Sequence, residues 1–379
     1  MQLKKYNNLN SISKVAAIAI IASQALYAEN YVAVEYLQYD ENNNRVSVSA
    51  PTLSASYDIG TNYTIKGDIV LDAVSGATPT WQPDTTSGAS QRDNSGDYEY
   101  KNQDFDEQRT AASLMLTTRF DNRDELNTGI DISRETDYYG NTVSAEYLHY
   151  TDASHNRSIN IGASYSFNEI LSYDYDTASG ASTRETSSSI NVQAGISQVL
   201  TDSSVIKAEA FAISDDGYLT NPHALVVKNY NTANQVLTNE NRPEERMAYG
   251  ATLKYITLLN DDISYKANYR FYTDDWGMNA HTLDNDVYYQ LTKKVTLGAG
   301  LRYYTQTEAD FYNGSKDYFT NEEFASSDER LSDFDALTYR ASVDFKQNDK
   351  LSYNLGAQFY SQSTGLDATM FTTGIKYKF

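Results

Sequence analysis

The residues able to do chemistry in this 379-residue chain are charged and amide side chains rather than thiols or imidazole clusters. Lys266, Arg270, Tyr272 and Asp274 recur at even spacing. So do Asp284 and Asp286, then Arg302, Tyr304, Gln306 and Glu308, then Arg340 and Asp344. Even spacing is the side-chain period of a β-strand, so each set shares one face of an extended segment. Four such segments, adjacent in sequence and paired as neighbours, would gather these groups into one polar cluster. In the functional reading the cluster is a constriction or binding patch whose mixed charges set a field for a polar solute. In the structural reading the same charges neutralise one another and stiffen a wall. Arg109, Arg119, Asp131, Glu135 and Glu146 extend the polar face onto earlier segments.

Catalytic signatures are absent from the sequence. There is no cysteine, and the four histidines fall apart: His149 and His281 at strand ends, His155 in a short turn, His223 in a long connection. Nucleophilic catalysis needs Ser, His and an acid to converge, and no local signature brings them together. No glycine-rich phosphate loop and no Cys/His metal spacing occurs. Asp274-Asp275-Trp276-Gly277 reads as a turn with an interfacial Trp anchor. Its two carboxylates fall short of the roughly 6–8 oxygens of a Ca²⁺ shell. The expectation is a protein that is not an enzyme and has no metal centre or cofactor.

The elements that must position the polar face alternate from Tyr31 to the end. Sixteen segments cover roughly 31–39, 45–57, 63–74, 107–121, 125–138, 141–152, 157–170, 186–200, 204–218, 246–259, 262–275, 279–292, 295–309, 336–347, 351–363 and 368–379. Ile159, Ile161, Ala163, Tyr165 and Phe167 oppose Asn160, Gly162, Ser164, Ser166 and Asn168. The second face is too small and polar for a dry core and suits a wet lumen. Segments one, nine and twelve alternate less cleanly, which leaves fourteen as the lower count.

Connections sort by length. Every second one is a short turn of Asn, Asp, Ser, Gly or Lys, and the long ones, 75–106, 171–185, 219–245 and 310–335, all fall in the other set. Short periplasmic turns and long extracellular loops are the pattern of a single all-β antiparallel transmembrane barrel. The last twelve residues end on Tyr377 and Phe379, the expected assembly signal of a closing strand. Residues 1–28 read as a secretory leader cleaved after Ala28 or Ala25, with Lys4, Lys5 and Lys14 before an apolar run too short to span a bilayer. The barrel then occupies 29–379. A net charge of −21 excludes nucleic acid as a partner. The 33 tyrosines suit the two aromatic girdles of a barrel.

Ser75-Gly-Ala-Thr-Pro79, Glu107-Gln-Arg109, Asn241-Arg-Pro-Glu-Glu-Arg246, Tyr269-Arg-Phe-Tyr-Thr-Asp-Asp-Trp-Gly277 and Arg302-Tyr-Tyr-Thr-Gln306 with Ala309-Asp-Phe-Tyr312 carry a resemblance across most of the exported part. The chain resembles a family of exported bacterial proteins of unknown function expected to be outer-membrane barrels. That pattern has Ser where Thr78 stands here. The resemblance implies fold and location and supplies no catalytic residue.

The favoured expectation is a porin-like channel in the outer membrane of a Gram-negative bacterium, passing a small polar or charged solute. Its partners would be outer-membrane lipid, lipopolysaccharide and the barrel assembly machinery. The alternatives are a plugged barrel that anchors a periplasmic or surface partner, and an outer-membrane hydrolase. An inward-folded 219–245 or 310–335 loop would favour the plugged barrel.

Overall fold

The computed structural model describes residues 30–83, 98–173, 175, 182–230, 232–314, 318 and 321–379; the leader expected at 1–28 lies outside them. In chain order the strands are β1 (Tyr31–Glu41), β2 (Val46–Ile59), β3 (Tyr63–Pro83), β4 (Tyr98–Arg119), β5 (Glu125–Arg134), β6 (Tyr138–Tyr150), β7 (Arg157–Tyr173), β8 (Ser182–Thr201) and β9 (Ser204–Gly217). They continue with β10 (Leu225–Lys228), β11 (Val236–Asn239), β12 (Glu245–Leu258), β13 (Ile263–Asp274), β14 (Asn279–Thr292), β15 (Val295–Gln306), β16 (Phe334–Lys346), β17 (Leu351–Gln362) and β18 (Asp367–Lys378). No α-helix occurs among the described residues. Sixteen strands form one closed antiparallel barrel in sequence order, with β9 beside β12; β10 and β11 form a separate hairpin.

Closure follows from the strand chemistry. β18 pairs with β1 in a continuous register that includes Val34 opposite Ile375 and Val32 opposite Tyr377. The Phe379 amide donates to the Asn30 carbonyl at 3.1 Å. The outward side chains form an apolar belt exposed all round, including Ile161, Ile190, Leu253, Leu301 and Leu355. Aromatics border it at both ends: Tyr57, Tyr63, Phe120, Tyr147, Tyr377 and Phe379 toward the short turns, Tyr249, Tyr303, Tyr339 and Phe359 toward the long loops. A belt this large is stable only against lipid. On β7, Ile159, Ile161, Tyr165 and Phe167 are exposed outward while Asn160, Ser164 and Ser166 are buried inside.

Two stretches differ from the sequence reading. The 75–106 connection is mostly strand: β3 and β4 pair up to Pro83 opposite Tyr98, so only 84–97 joins them. Beyond the apolar belt no lipid imposes a period of two, and Trp81 and Tyr98 are buried against β10 and β11 instead. Within 219–245, β10 and β11 pair from Leu225–Asn239 to Lys228–Val236.

Tyr57 and Phe379 stack at 6.5 Å where the barrel closes. Phe379→Ser removes an exposed aromatic from the closing seam. It is expected to slow membrane assembly, read as a smaller heat-modifiable fraction on a gel; an unchanged fraction would contradict the role of this residue.

Candidate functional site: the charged inner wall and its two-loop cap

The register brings the predicted cluster together on β13 to β16. Asp284 stands directly opposite Arg302, and Gly300 lies between Asp286 on β14 and Arg340 on β16. Arg302 grips Asp284 with both arms of its fork, Nε–Oδ1 at 2.7 Å and Nη2–Oδ2 at 3.3 Å. Arg340 Nη2 bridges Asp284 Oδ1 at 2.9 Å and Asp286 Oδ1 at 2.8 Å. The bridge crosses over β15 only because position 300 has no side chain: a Cβ there would meet the Asp286 carboxylate and Arg340 Nε. A second ladder lies on β6 to β9, where Asn160 Nδ2 donates to Glu146 at 2.8 Å and Glu209 at 3.2 Å, and Lys207 Nζ pairs with Glu209 at 2.8 Å.

Other predicted wall residues have different surroundings. Lys266 and Arg270 face the lumen on β13 beside the ladder. Asp344 shares the inner face of β16 but is exposed nearer the short-turn end. Glu308 is not on the wall: β15 ends at Gln306, and Glu308 is exposed in the following loop. The strand stops there because the Ala309 amide turns to the Leu331 carbonyl at 2.9 Å. Tyr272, Asp274, Tyr304 and Gln306 stand at the outer ends of β13 and β15, beneath the cap.

The cap is built by the connections 218–244 and 307–333, which fold over the outer mouth and meet. Val226 and Val227 of the β10–β11 hairpin are 0% exposed. Leu225, Val227 and Leu237 pack with Trp81 and Tyr98 of the β3–β4 extension, with Tyr230 against the Trp81 ring. His223 Nε2 reaches Asp137 Oδ2 at 2.5 Å in the turn between β5 and β6. Arg45, between β1 and β2, pairs with Glu329 at 3.0 Å. The two connections are joined by Tyr318, which exchanges backbone hydrogen bonds with Val227 and Asn229, and by Asn241 with Ala325.

One buried ion cluster locks them. Arg242 Nε lies 2.6 Å from Glu240 Oε1 and its Nη2 2.8 Å from Asp328 Oδ2. Ser326 Oγ donates to Glu240 Oε2 at 2.5 Å, and Arg330 forks onto Asp328. Burial pushes the Asp328 carboxyl up, but the Arg330 and Arg242 guanidinia outweigh it and hold the group below the usual carboxylate range.

The motifs of the sequence converge under this cap. Asp274 Oδ1 accepts the Trp276 and Met278 amides at 3.1 and 3.0 Å, closing the turn between β13 and β14. Gly277 has φ +86, and a Cβ on it would strike the Asp310 carboxylate. Trp276 is not an interfacial anchor: it is buried, donates Nε1–H to the Glu245 carbonyl at 3.0 Å, and meets Phe311 edge-on at 5.1 Å. The apolar pull of Phe211, Ile213, Ala248, Leu331 and their neighbours draws the ring inward. Gln306 Nε2 holds the Arg330 and Ser332 carbonyls at 3.0 and 2.5 Å. Arg246 clasps Asp215, Nη2–Oδ2 at 2.6 Å, and covers the Trp276 ring at 5.0 Å. Sequence reasoning missed Glu240, Ser326 and Asp328 because nothing periodic marks them. The Leu225-Val-Val and Val236-Leu runs around an Asn-rich turn were the available hairpin signal.

Arg242→Ala leaves Glu240 buried without its cation, at a cost of roughly 3–5 kcal/mol to the cap. Limited proteolysis is expected to cut within 218–244 or 307–333 in this variant while the barrel stays heat-modifiable; resistance equal to the parent would contradict the lock. Asp328 is depressed in the folded state, so its contribution is fully present above the unfolded value near pH 4 and is lost as pH falls below it. Cap protection against protease should therefore hold at neutral pH and fail on the acid side of about pH 4. Protection that instead rose on acidification would contradict the sign.

The barrel of CdiB from Acinetobacter baumannii is similar in fold, with a TM-score of 0.52 at 9% identity over 93% of this chain and 60% of that one. A loop L8 deletion mutant of OmpT, an outer membrane protein of Vibrio cholerae, aligns over 92% of this chain and 98% of that one, at 10% identity and TM-score 0.45. The ferric enterobactin receptor PfeA of Pseudomonas aeruginosa aligns over 88% and 54%, at 10% identity and TM-score 0.44. No curated protein matches the sequence. The fold is that of outer-membrane barrels. The family described as "Protein of unknown function (DUF3570)" matches residues 10–374, and the chain belongs to it.

Proposed function

We propose that the chain is a gated outer-membrane channel: a barrel whose polar lumen passes a small polar or charged solute and whose outer mouth is shut at rest by the two-loop cap. The observation that carries the reading is the pairing of a charged inner wall with a cap tied by discrete polar contacts. In this reading the charged ladders line the path of a polar solute, and the polar ties of the cap at Arg242, His223 and Arg45 are the contacts that release when it opens. In this reading lipid and lipopolysaccharide contact the outer belt, and the assembly machinery engages the closing strand. The four histidines stand at separate sites, with Asp124, Tyr150, Asp137 and Tyr269, which supports a non-enzymatic role.

The same cap favours a second reading, a barrel closed for good that anchors a partner. Conductance in a planar bilayer separates them. The parent is expected to be nearly silent, and a variant with 223–239 replaced by a short Gly-Ser turn, or Arg242→Ala, to show steady conductance. A loop-shortened barrel that folds and stays silent would overturn the channel and leave the anchor.

A further inference from the structure

The inner wall carries a cluster of cations of which the ladders pair only Lys207. Lys207 on β9 stands directly opposite Lys254 on β12. Lys254 pairs across to Asn268 on β13, which places it diagonal to both Lys266 and Arg270. Directly opposed side chains lie about 5 Å apart and diagonal ones about 7–8 Å, so four cations share one patch of wall. Like charges directly opposite destabilise a sheet, and the fold tolerates the arrangement here.

The carboxylates that face the patch carry other partners, including Asp286 and Asp284, which stand directly opposite Lys266 and Asn268. Glu209 holds Lys207, and Asp284 and Asp286 hold Arg302 and Arg340. Glu146 takes the Asn160 amide. Among the described residues Lys254, Lys266 and Arg270 make no ion pair with any of them. Arg270 stacks its guanidinium on the Phe211 ring at 4.8 Å, which fixes its plane, yet its Nη2 is buried with no hydrogen-bond partner. Asn268, between Lys266 and Arg270 on the same face, likewise has a buried Oδ1 with no partner. A flip of that amide presents its NH₂ instead.

We infer that Lys254, Lys266, Arg270 and Asn268 form a lumenal binding site for a small multivalent anion, a phosphate or a dicarboxylate. A fixed guanidinium fork supplies directional donors, and two ammonium groups supply charge and adapt to the oxygens. A chain of net charge −21 thus sets a positive patch inside its lumen, beneath the cap. The inference deepens the channel reading and rests on it for transport, naming the solute class. Binding itself does not depend on conduction.

Two measurements on the refolded full chain keep the failures apart. The first is titration with inorganic phosphate or succinate, followed by calorimetry and by the unfolding temperature. One of the two anions is expected to bind saturably and raise the unfolding temperature, and the one that does identifies the class. The shift should be lost in Arg270→Gln and in Lys254→Gln and kept in Lys350→Gln, a turn residue outside the patch. Should Arg270→Gln not fold, Lys254→Gln and Lys266→Gln read the same site. Absence of saturable binding by both anions, or binding unchanged in these variants, would overturn the site. The second is the reversal potential of the loop-shortened barrel in a salt gradient. Anion selectivity that moves toward cations in Lys254→Glu supports the inference, and cation selectivity in the unsubstituted lumen overturns it. Anion binding in a barrel that never conducts keeps the site and rejects the channel.

Discussion

Every backbone N–H and C=O that faces hydrocarbon must find its partner inside the protein, and in a sheet only closure achieves this. The seam between β1 and β18 satisfies that requirement, and the rest of the molecule is arranged around it. Once the sheet is closed, strict alternation assigns every side chain to lipid or lumen. Aliphatic residues take the outer face, and the charged ones have only the inner face left. Antiparallel register then decides which of them meet: Asp284 finds Arg302 because their strands are adjacent and their positions oppose. The inner ladders are thus a consequence of closure, with Gly300 supplying the gap through which one of them crosses a strand.

Closure of the wall leaves the mouth open, and the upper rim is apolar there. Phe211, Ile213, Ala248 and Ala280 point inward near the long-loop end, where water would meet them. The cap covers these groups and adds an apolar layer of its own around Val226 and Val227. Within the apolar belt each barrel strand is bonded on both sides, whereas the cap is held by the Glu240–Arg242–Asp328 cluster, the Tyr318 and Asn241 backbone bonds and its packing on Trp81, Tyr98 and Trp276. Segments of that kind open at lower free energy than the scaffold beneath them. A gate needs this difference in stability between cap and wall.

The sixteen strands and the inner face of Arg302, Asp284 and Arg340 were legible in the sequence because lipid on one side and water on the other impose a period of two. Where that asymmetry ends, legibility ends. The β3–β4 extension lies beyond the lipid belt, and its buried Trp81 and Tyr98 meet another loop instead, so 75–83 and 98–106 read as loop. Val226 and Val227 are adjacent and both buried, which breaks alternation altogether. A tryptophan at a strand end reads as an interfacial anchor; only the fold brings Phe311 and Arg246 to Trp276 from distant segments. The charges at 240, 242 and 328 are indistinguishable in sequence from solvated loop residues, since their burial depends on two loops meeting.

The chain has two tryptophans, and both lie within the packing of the cap: Trp81 against the β10–β11 hairpin and Trp276 under the 307–333 connection. Quenching of their fluorescence by acrylamide in the refolded barrel therefore reads the cap directly, without a label. A folded cap predicts weak quenching at neutral pH that rises sharply in Arg242→Ala while the barrel remains folded. Strong quenching in the parent, at the level of a water-exposed indole, would contradict the cap and with it the proposed gating.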